Sequence, residues 1–188
     1  MAIKAIIFDC FGVLVMSKIE SLRHDYPEQA AELLDLSVRS DYGYISRADY
    51  GQEVARLTGI PADDFEALYW RRNVRNEAAI EWVRALKATN TYKIGLLSNI
   101  GREWLDDFLP QDERRDLFDG EVLSSMVGMM KPDPAIFQLM SERLGAPADE
   151  CVMIDDLLSN IEGAAHIGMQ GVVFGSVMQA KQDLERLL

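Results

Sequence analysis

The stretch Ile3-Lys4-Ala5-Ile6-Ile7-Phe8-Asp9-Cys10-Phe11-Gly12-Val13-Leu14 decides the fold. Its first half is a short apolar run with no polar alternation past Lys4. Such a run suits a strand covered on both faces, as in a parallel sheet, because a strand with one wet face would alternate. A carboxylate and then a glycine end it. Similar apolar runs return at residues 92–97, 151–154 and 171–174, and more weakly at 120–123.

Helical segments separate these runs. Asp133-Pro134 reads as an N-cap followed by proline at the first helical position. Apolar Ile136, Phe137, Leu139, Met140 and Leu144 follow, and Gly145 is the stop signal. Asp156 or Ser159 is expected to cap a further helix that Gly168 closes. Strands alternating with helices through short loops predict an α/β fold, a doubly wound parallel sheet of Rossmann-like type. Residues 17–76 break that rhythm: they are polar, rich in aromatics and read as helical. Pro27 is expected to open one helix. Ser46 and Asp49 bracket a capping box before a helix closed by Gly59, and Pro61 opens a third. No strong strand is expected there. The predicted organisation is a Rossmann-like core of residues 1–16 and 77–188, with a small all-helical cap of residues 17–76 inserted after the first strand.

The 188 residues are 48% apolar, enough for one core with a modest insertion. Acidic side chains number 31 against 19 basic ones, a net charge of −12. That balance offers no footprint for nucleic acid or an anionic membrane. An anionic small molecule would need a local cation against this background. Cys10 and Cys151 are too few for a disulfide framework and each lies in an apolar run, so buried thiols are expected. Residues 1–8 are too short an apolar stretch for a signal peptide, and no run approaches the ~20 apolar residues of a membrane span. A soluble cytoplasmic protein is the expectation.

In doubly wound sheets, ligands bind beyond the carboxyl ends of the strands. After the first run stands Asp9, after the second Ser98-Asn99, and after the run at 151–154 Asp155-Asp156. Lys131 lies between them in sequence, in Met130-Lys131-Pro132-Asp133. Singly, each has an ordinary role as a cap, a turn former or a solvated lysine. Jointly they would bring three carboxylates to one rim, and like charges that close repel unless a cation sits among them. An all-oxygen donor set suits Mg²⁺, which takes one or two carboxylates and completes its shell with water and phosphate. Lys131 is then placed to hold a carboxylate and a phosphoryl oxygen.

Together, Phe8-Asp9-Cys10-Phe11-Gly12-Val13-Leu14, Leu97-Ser98-Asn99, Lys131-Pro132-Asp133-Pro134 and Ile154-Asp155-Asp156 with Asn160, Gly163-Ala164 and Gly168-Met169 resemble the haloacid dehalogenase-like hydrolase superfamily, with a helical cap after the first motif. The stretch from Gly128-Met129 through Lys131-Pro132, with the later double Asp and Asn160, most resembles bacterial phosphatases of the glucose-1-phosphate type. The resemblance implies a phosphatase acting on a small phosphorylated metabolite. It makes Asp9 the nucleophile of an aspartyl-phosphate route. It implies Mg²⁺ on Asp9, the backbone carbonyl of Phe11 and Asp156, with Asp155 close by. Ser98 and Asn99 would bind phosphoryl oxygens, Lys131 would stabilise the developing charge, and Asn160 would steady the metal site. Arg102 is a further substrate candidate.

One position departs from the family. Its phosphatases usually carry a second Asp two residues after the nucleophile, as acid and base, and here that residue is Phe11. Three readings stay open: a phosphatase for good leaving groups such as a sugar anomeric oxygen; a dehalogenase, whose branch carries an aromatic residue there; or a binder of phosphorylated ligands without turnover. The double Asp favours the first. His24, in the cap, is the alternative acid. Tyr42, Tyr44, Tyr50, Tyr69 and Trp70 are candidate pocket aromatics, and Arg71, Arg72 and Arg75 a candidate anion cluster.

Overall fold

The computed structural model describes residues 2–17 and 20–188. The chain runs β1 (Ala5–Phe8), β2 (Val15–Met16), α1 (Glu20–Asp25), α2 (Ala30–Asp41), α3 (Arg47–Thr58), α4 (Ala62–Leu68), β3 (Val74–Arg75), α5 (Glu77–Ala88), β4 (Lys93–Ser98), α6 (Gln111–Leu117), β5 (Gly120–Leu123), α7 (Ser124–Val127), α8 (Pro134–Leu144), β6 (Cys151–Asp155), α9 (Leu158–Ala165), β7 (Gln170–Val173) and α10 (Val177–Glu185). Five strands form one parallel sheet in the order β5-β4-β1-β6-β7. The doubly wound α/β expectation therefore holds, and the weak run at 120–123 is a full edge strand.

Alternation along β1 splits the core between the two sheet faces. Ile6 and Phe8 join Ile94, Leu96, Val152 and Ile154 on one side, where α5 packs through Ile80 and Val83. Ala5 and Ile7 face the other side with Met153, beneath Ile136, Phe137 and Met140 of α8. All three residues of Ile6-Ile7-Phe8 are fully buried, which is why that run carries no polar alternation. Both cysteines are free and buried.

The caps behave largely as the sequence dictates. Asp133 accepts from Ala135 N ahead of Pro134, and Gly145 stops α8 in the left-handed conformation. Ser46 and Asp49 form the reciprocal capping box of α3. Three expectations need correction. Pro27 opens a 3₁₀ turn, Pro27–Gln29, and the α-helix begins only at Ala30. Neither Asp156 nor Ser159 caps α9, whose N-cap is Leu157 without a side-chain bond. Residues 15–16 and 74–75 pair as an antiparallel ribbon, a strand pair that two-residue runs give periodicity no room to announce. This ribbon joins the inserted helices to the sheet, and Asn76 ties it down through Nδ2 to the Val13 carbonyl at 2.9 Å. Among the described residues no helix is long and apolar enough to cross a membrane.

Candidate active site

β1 lies at the centre of the sheet, flanked by β4 and β6, so the carboxyl ends of all three strands open onto one crevice. Asp9 follows β1, Ser98 ends β4 and Asp155 ends β6. Lys131, from the loop before α8, reaches into this rim. Its Nζ lies 2.7 Å from Asp9 Oδ1 and 2.6 Å from Asp155 Oδ2. The lysine is only 2% exposed, so a reading as a solvated surface lysine is excluded. Burial works against its charge, but the Asp9 and Asp155 carboxylates outweigh that and hold the ammonium above the usual lysine range.

Asp9 Oδ1 also accepts from its neighbour Cys10 N at 2.6 Å. One carboxylate oxygen is thus pinned, which fixes the plane of the group. Oδ2 has no hydrogen-bond partner among the described residues. Burial raises the Asp9 carboxyl to about 7; the Lys131 charge opposes the shift and the Asp155 charge adds to it.

Asp155 is saturated by protein. Oδ2 takes Lys131, while Oδ1 accepts from Leu157 N and from Asn160 Nδ2, each at 2.9 Å. Asn160 therefore serves Asp155 and not Asp156; the i, i+4 spacing from Asp156 is not the one used. Oxygens of Asp9, Asp155 and Asp156 lie within 4.8 Å of one another. Asp9 and Asp156 line the cavity over this cluster and could hold a cation there, whereas Asp155 is spent on Lys131, Leu157 and Asn160. Two carboxylates beside a backbone carbonyl fit Mg²⁺ and its water-rich shell. Asp156 sits against Gly12, where a Cβ would come within 2.2 Å of its Oδ2. Only glycine permits that approach, and it brings Asp156 beside the Phe11-Gly12 peptide.

Asn99 lines both cavities and also braces Lys131. Its Oδ1 accepts from Lys131 N at 2.8 Å and its Nδ2 donates to the Lys131 carbonyl at 2.9 Å. Both ends of the amide thereby help hold the lysine's backbone, and one N–H of Nδ2 is left over. Ser98 keeps a fully buried hydroxyl with no partner among the described residues. Arg102 is exposed, donates toward the Ser125 carbonyl at 3.4 Å, and lies off the cavity walls. His24 is exposed and also off those walls. Arg75 is engaged by Glu113 in a two-pronged pair at 2.6 and 2.8 Å. The Arg72 side chain lies outside the described residues.

A cavity of about 540 Å³ opens over Asp9, Lys131, Asp156 and Asn160. A smaller one of about 150 Å³ adjoins it, walled by Phe11, Tyr50, Trp70 and Trp104. Phe11 stands between them, its ring 5.8 Å from Trp70 and 6.0 Å from Phe108. Of the candidate aromatics, Tyr50 and Trp70 wall the small cavity. Tyr42 and Tyr44 stack on each other at 5.3 Å, and Tyr69 bonds Asp25. One residue escaped notice in the sequence: Asp41, the last residue of α2, lines both cavities. Nothing in its spacing marks it, since a polar residue ending a helix is commonplace.

Residues 3–168 match the family model of haloacid dehalogenase-like hydrolases. The chain belongs to that family. It is 29% identical over 159 residues to acyl-CoA dehydrogenase family member 10 of Mus musculus, which covers 80% of this chain and 15% of that one. It is 24% identical to the sesquiterpene phosphatase astK of Aspergillus oryzae over 78% of this chain and 76% of that one. The chain spans less than a fifth of the first curated relatives it matches. Among solved structures, the HAD family enzyme BT-2542 of Bacteroides thetaiotaomicron superposes with a TM-score of 0.80 at 21% identity, covering 94% of this chain and 97% of that one. A second structure of that enzyme, at TM-score 0.74 and 22% identity over 91% and 93% of the chains, is a complex with magnesium and inorganic phosphate.

Proposed function

We propose that this chain is a Mg²⁺-dependent phosphomonoester hydrolase acting on a small phosphorylated metabolite through an aspartyl-phosphate at Asp9. The observation that carries the reading is the division of labour among the three carboxylates. Lys131 neutralises Asp155 and one oxygen of Asp9, while Asp156 is set against Gly12 on the wall of the cavity that opens over Asp9. A site that displaced halide would not need the second acidic group. When bound, Mg²⁺ would supply charge neutralisation between nucleophile and phosphoryl group.

The residues then divide as follows. Asp9, pinned through Oδ1, presents Oδ2 to phosphorus in line with the leaving oxygen. Asp9, Asp156 and the Phe11 carbonyl would hold the metal. Lys131 faces the charge that builds on the phosphoryl oxygens. The buried Ser98 hydroxyl gains an acceptor in one of those oxygens. Asn99 and Asn160 hold Lys131 and Asp155 in place. Residues 17–76 act as the cap, and the aromatic cavity between Phe11 and Trp104 receives the leaving group, for which a sugar ring is a suitable shape. The sesquiterpene phosphatase relative and the phosphate complex of the structural neighbour support phosphoryl chemistry at this site.

The test is a panel of phosphomonoesters assayed with Mg²⁺ and with chelator, on wild type and Asp9→Asn. Phosphate release that chelation abolishes, that Mg²⁺ restores and that Asp9→Asn lacks supports the reading. Halide release from a 2-haloacid, indifferent to chelator, would replace it with the dehalogenase reading.

A further inference from the structure

The phosphatase reading leaves one role without an occupant. An alkoxide cannot leave phosphorus readily without a proton, and Phe11 has none to give. The geometry points to Asp41 as the general acid and base: we propose that the cap supplies the carboxyl that the nucleophile loop lacks. This inference rests on the phosphatase reading and goes one step beyond it.

Four observations place Asp41 there. It lines both the cavity over Asp9 and Lys131 and the adjoining aromatic cavity, so it stands where a phosphoryl group would pass into a leaving group. Its side chain is half-buried and makes no hydrogen bond among the described residues, so its proton is not committed to another acceptor. Its backbone is docked on the core: Ser124 Oγ donates to the Asp41 carbonyl at 2.6 Å and accepts from Ile100 N at 2.9 Å. Ser124 thus ties Asp41 to the loop that carries Ser98 and Asn99. Two residues on, Gly43 at φ +76° packs so closely on Ser125 that a Cβ would lie 2.5 Å from its carbonyl oxygen. The end of α2 is therefore held in register with the phosphoryl site, as a proton donor must be.

The charge environment agrees with that role. Groups around this end of the cavity are Tyr50 of α3, Arg23 of α1, and Lys131, Asp9 and Asp156 of the core. Burial pushes the Asp41 carboxyl up to about 7 against the pull of Lys131. An acid with that affinity holds its proton near neutrality and regains it after giving it up.

The step balances as follows. Asp9 Oδ2 forms a bond to phosphorus as the bond from phosphorus to the ester oxygen breaks. The electron pair goes to that oxygen, which takes the Asp41 proton and leaves as an alcohol. In the second half, the Asp41 carboxylate takes a proton from water while the water oxygen attacks the aspartyl-phosphate. Asp9 is released as carboxylate, inorganic phosphate departs, and Asp41 is again protonated.

Asp41→Asn tests this, since it keeps the shape and removes a half-buried ionisable group. Wild type and variant are compared on 4-nitrophenyl phosphate and on glycerol phosphate, with stopped-flow detection of nitrophenolate. With glycerol phosphate, kcat/KM should fall by about 10²–10⁴-fold. With the aryl ester, whose leaving group needs no proton, the variant should release a burst of about one nitrophenolate per enzyme and then turn over slowly, because hydrolysis of the intermediate has lost its base. A burst also shows a folded variant with a competent Asp9. Equal losses on both substrates without a burst, rates within about threefold of wild type, or a change confined to KM would each overturn the role of Asp41. A wild type that releases phosphate from neither ester overturns the phosphatase reading and this inference with it.

Discussion

Gly12→Ala is the sharpest probe of the proposed metal site, because Gly12 has no side chain to act in the chemistry and carries no charge. Two costs can be read from the geometry. Gly12 lies at φ +93°, a left-handed conformation that costs a residue with a Cβ about 1–2 kcal/mol. That cost lowers the stability of the metal-free protein. The second cost falls on Asp156. The new Cβ would lie 2.2 Å from Oδ2, whereas ordinary contact begins near 3.4 Å. The carboxylate must retreat by about 1.2 Å, several times the roughly 0.2 Å by which a metal–ligand distance can vary. Altering groups that merely support a ligand weakens metal binding about 10–100-fold, and displacing a ligand should cost no less. The assay is a Mg²⁺ titration followed both by thermal unfolding and by initial rate. The half-saturating concentration should rise at least tenfold in both readouts, with kcat at saturating metal recovering only in part. In an Asp156→Ala background the same change should cost the backbone strain alone, so the two substitutions would be non-additive. A folded Gly12→Ala protein with an unchanged Mg²⁺ requirement would refute the placement of the cation between Asp9 and Asp156.

Three further outcomes follow from the same geometry. Asn99→Ala removes two hydrogen bonds to the Lys131 backbone, each worth about 0.5–1.5 kcal/mol, so denaturant unfolding should shift by about 1–3 kcal/mol. Turnover should fall by a similar factor on every phosphomonoester, and a loss confined to KM for one substrate would count against a positioning role. Asp9 must shed its proton to bind a metal, and its carboxyl is raised to about 7, so Mg²⁺ affinity should climb between pH 6 and pH 8 with measurable proton release by calorimetry. An affinity flat across that range would contradict the raised value. Glu113 is held below the ordinary glutamate value of 4.5 by hydrogen bonding to Arg75. The stability this pair contributes is therefore complete above about pH 4.5 and lost as pH falls through the lowered value. Arg75→Ala should flatten that acid limb of the unfolding profile, and an unaltered limb would show the pair to be inert.

The parallel sheet was legible because burial on both faces leaves no alternative pattern for residues 5–8, 93–98 and 151–155. The helix ends were legible where a capping side chain opens them, as at Ser46 and Asp133, or a left-handed glycine closes them, as at Gly59 and Gly145. Asp9, Lys131, Asp155 and Asp156 could be named because strand ends converge in this topology. What each does with its hydrogen bonds could not. Asn99 looks equally suited to a phosphoryl oxygen and to a peptide, and only the three-dimensional structure shows its bonds to the Lys131 backbone. Asn160 faces the same ambiguity, resolved by the position at which α9 starts. Arg102 and His24 lie off the walls of both cavities: sequence proximity to a motif says nothing about which wall a side chain reaches. Asp41 was illegible for the converse reason: the core residues it meets across the cavity, Asp9, Asn99, Lys131 and Asp156, are distant from it in sequence.

Phe11 links these points. Its ring packs among Trp70 and Phe108, and Trp70 in turn meets Trp104 at 4.1 Å and donates through Nε1 to Asp107 at 2.7 Å. Arg47 of α3 lies over Trp104 and pairs with the same Asp107 at 2.8 Å. The residue two places after Asp9 is thus part of the aromatic junction that seats the inserted helices on the sheet. A carboxylate at that place would face indole and phenyl rings, and an ionised group among apolar walls is costly without a partner. The junction and a family-type acid therefore compete for one position, and this chain has settled it in favour of the junction. A seated junction is also what keeps α2 against Ser124 and Ser125, where Asp41 is fixed. Under the proposed role of Asp41, the aromatic side chain that removes one acid from the nucleophile loop helps hold its replacement over the phosphoryl site. Proton transfer then depends on the seating of the inserted helices, whereas an acid borne on the nucleophile loop would be in place whether or not they were seated.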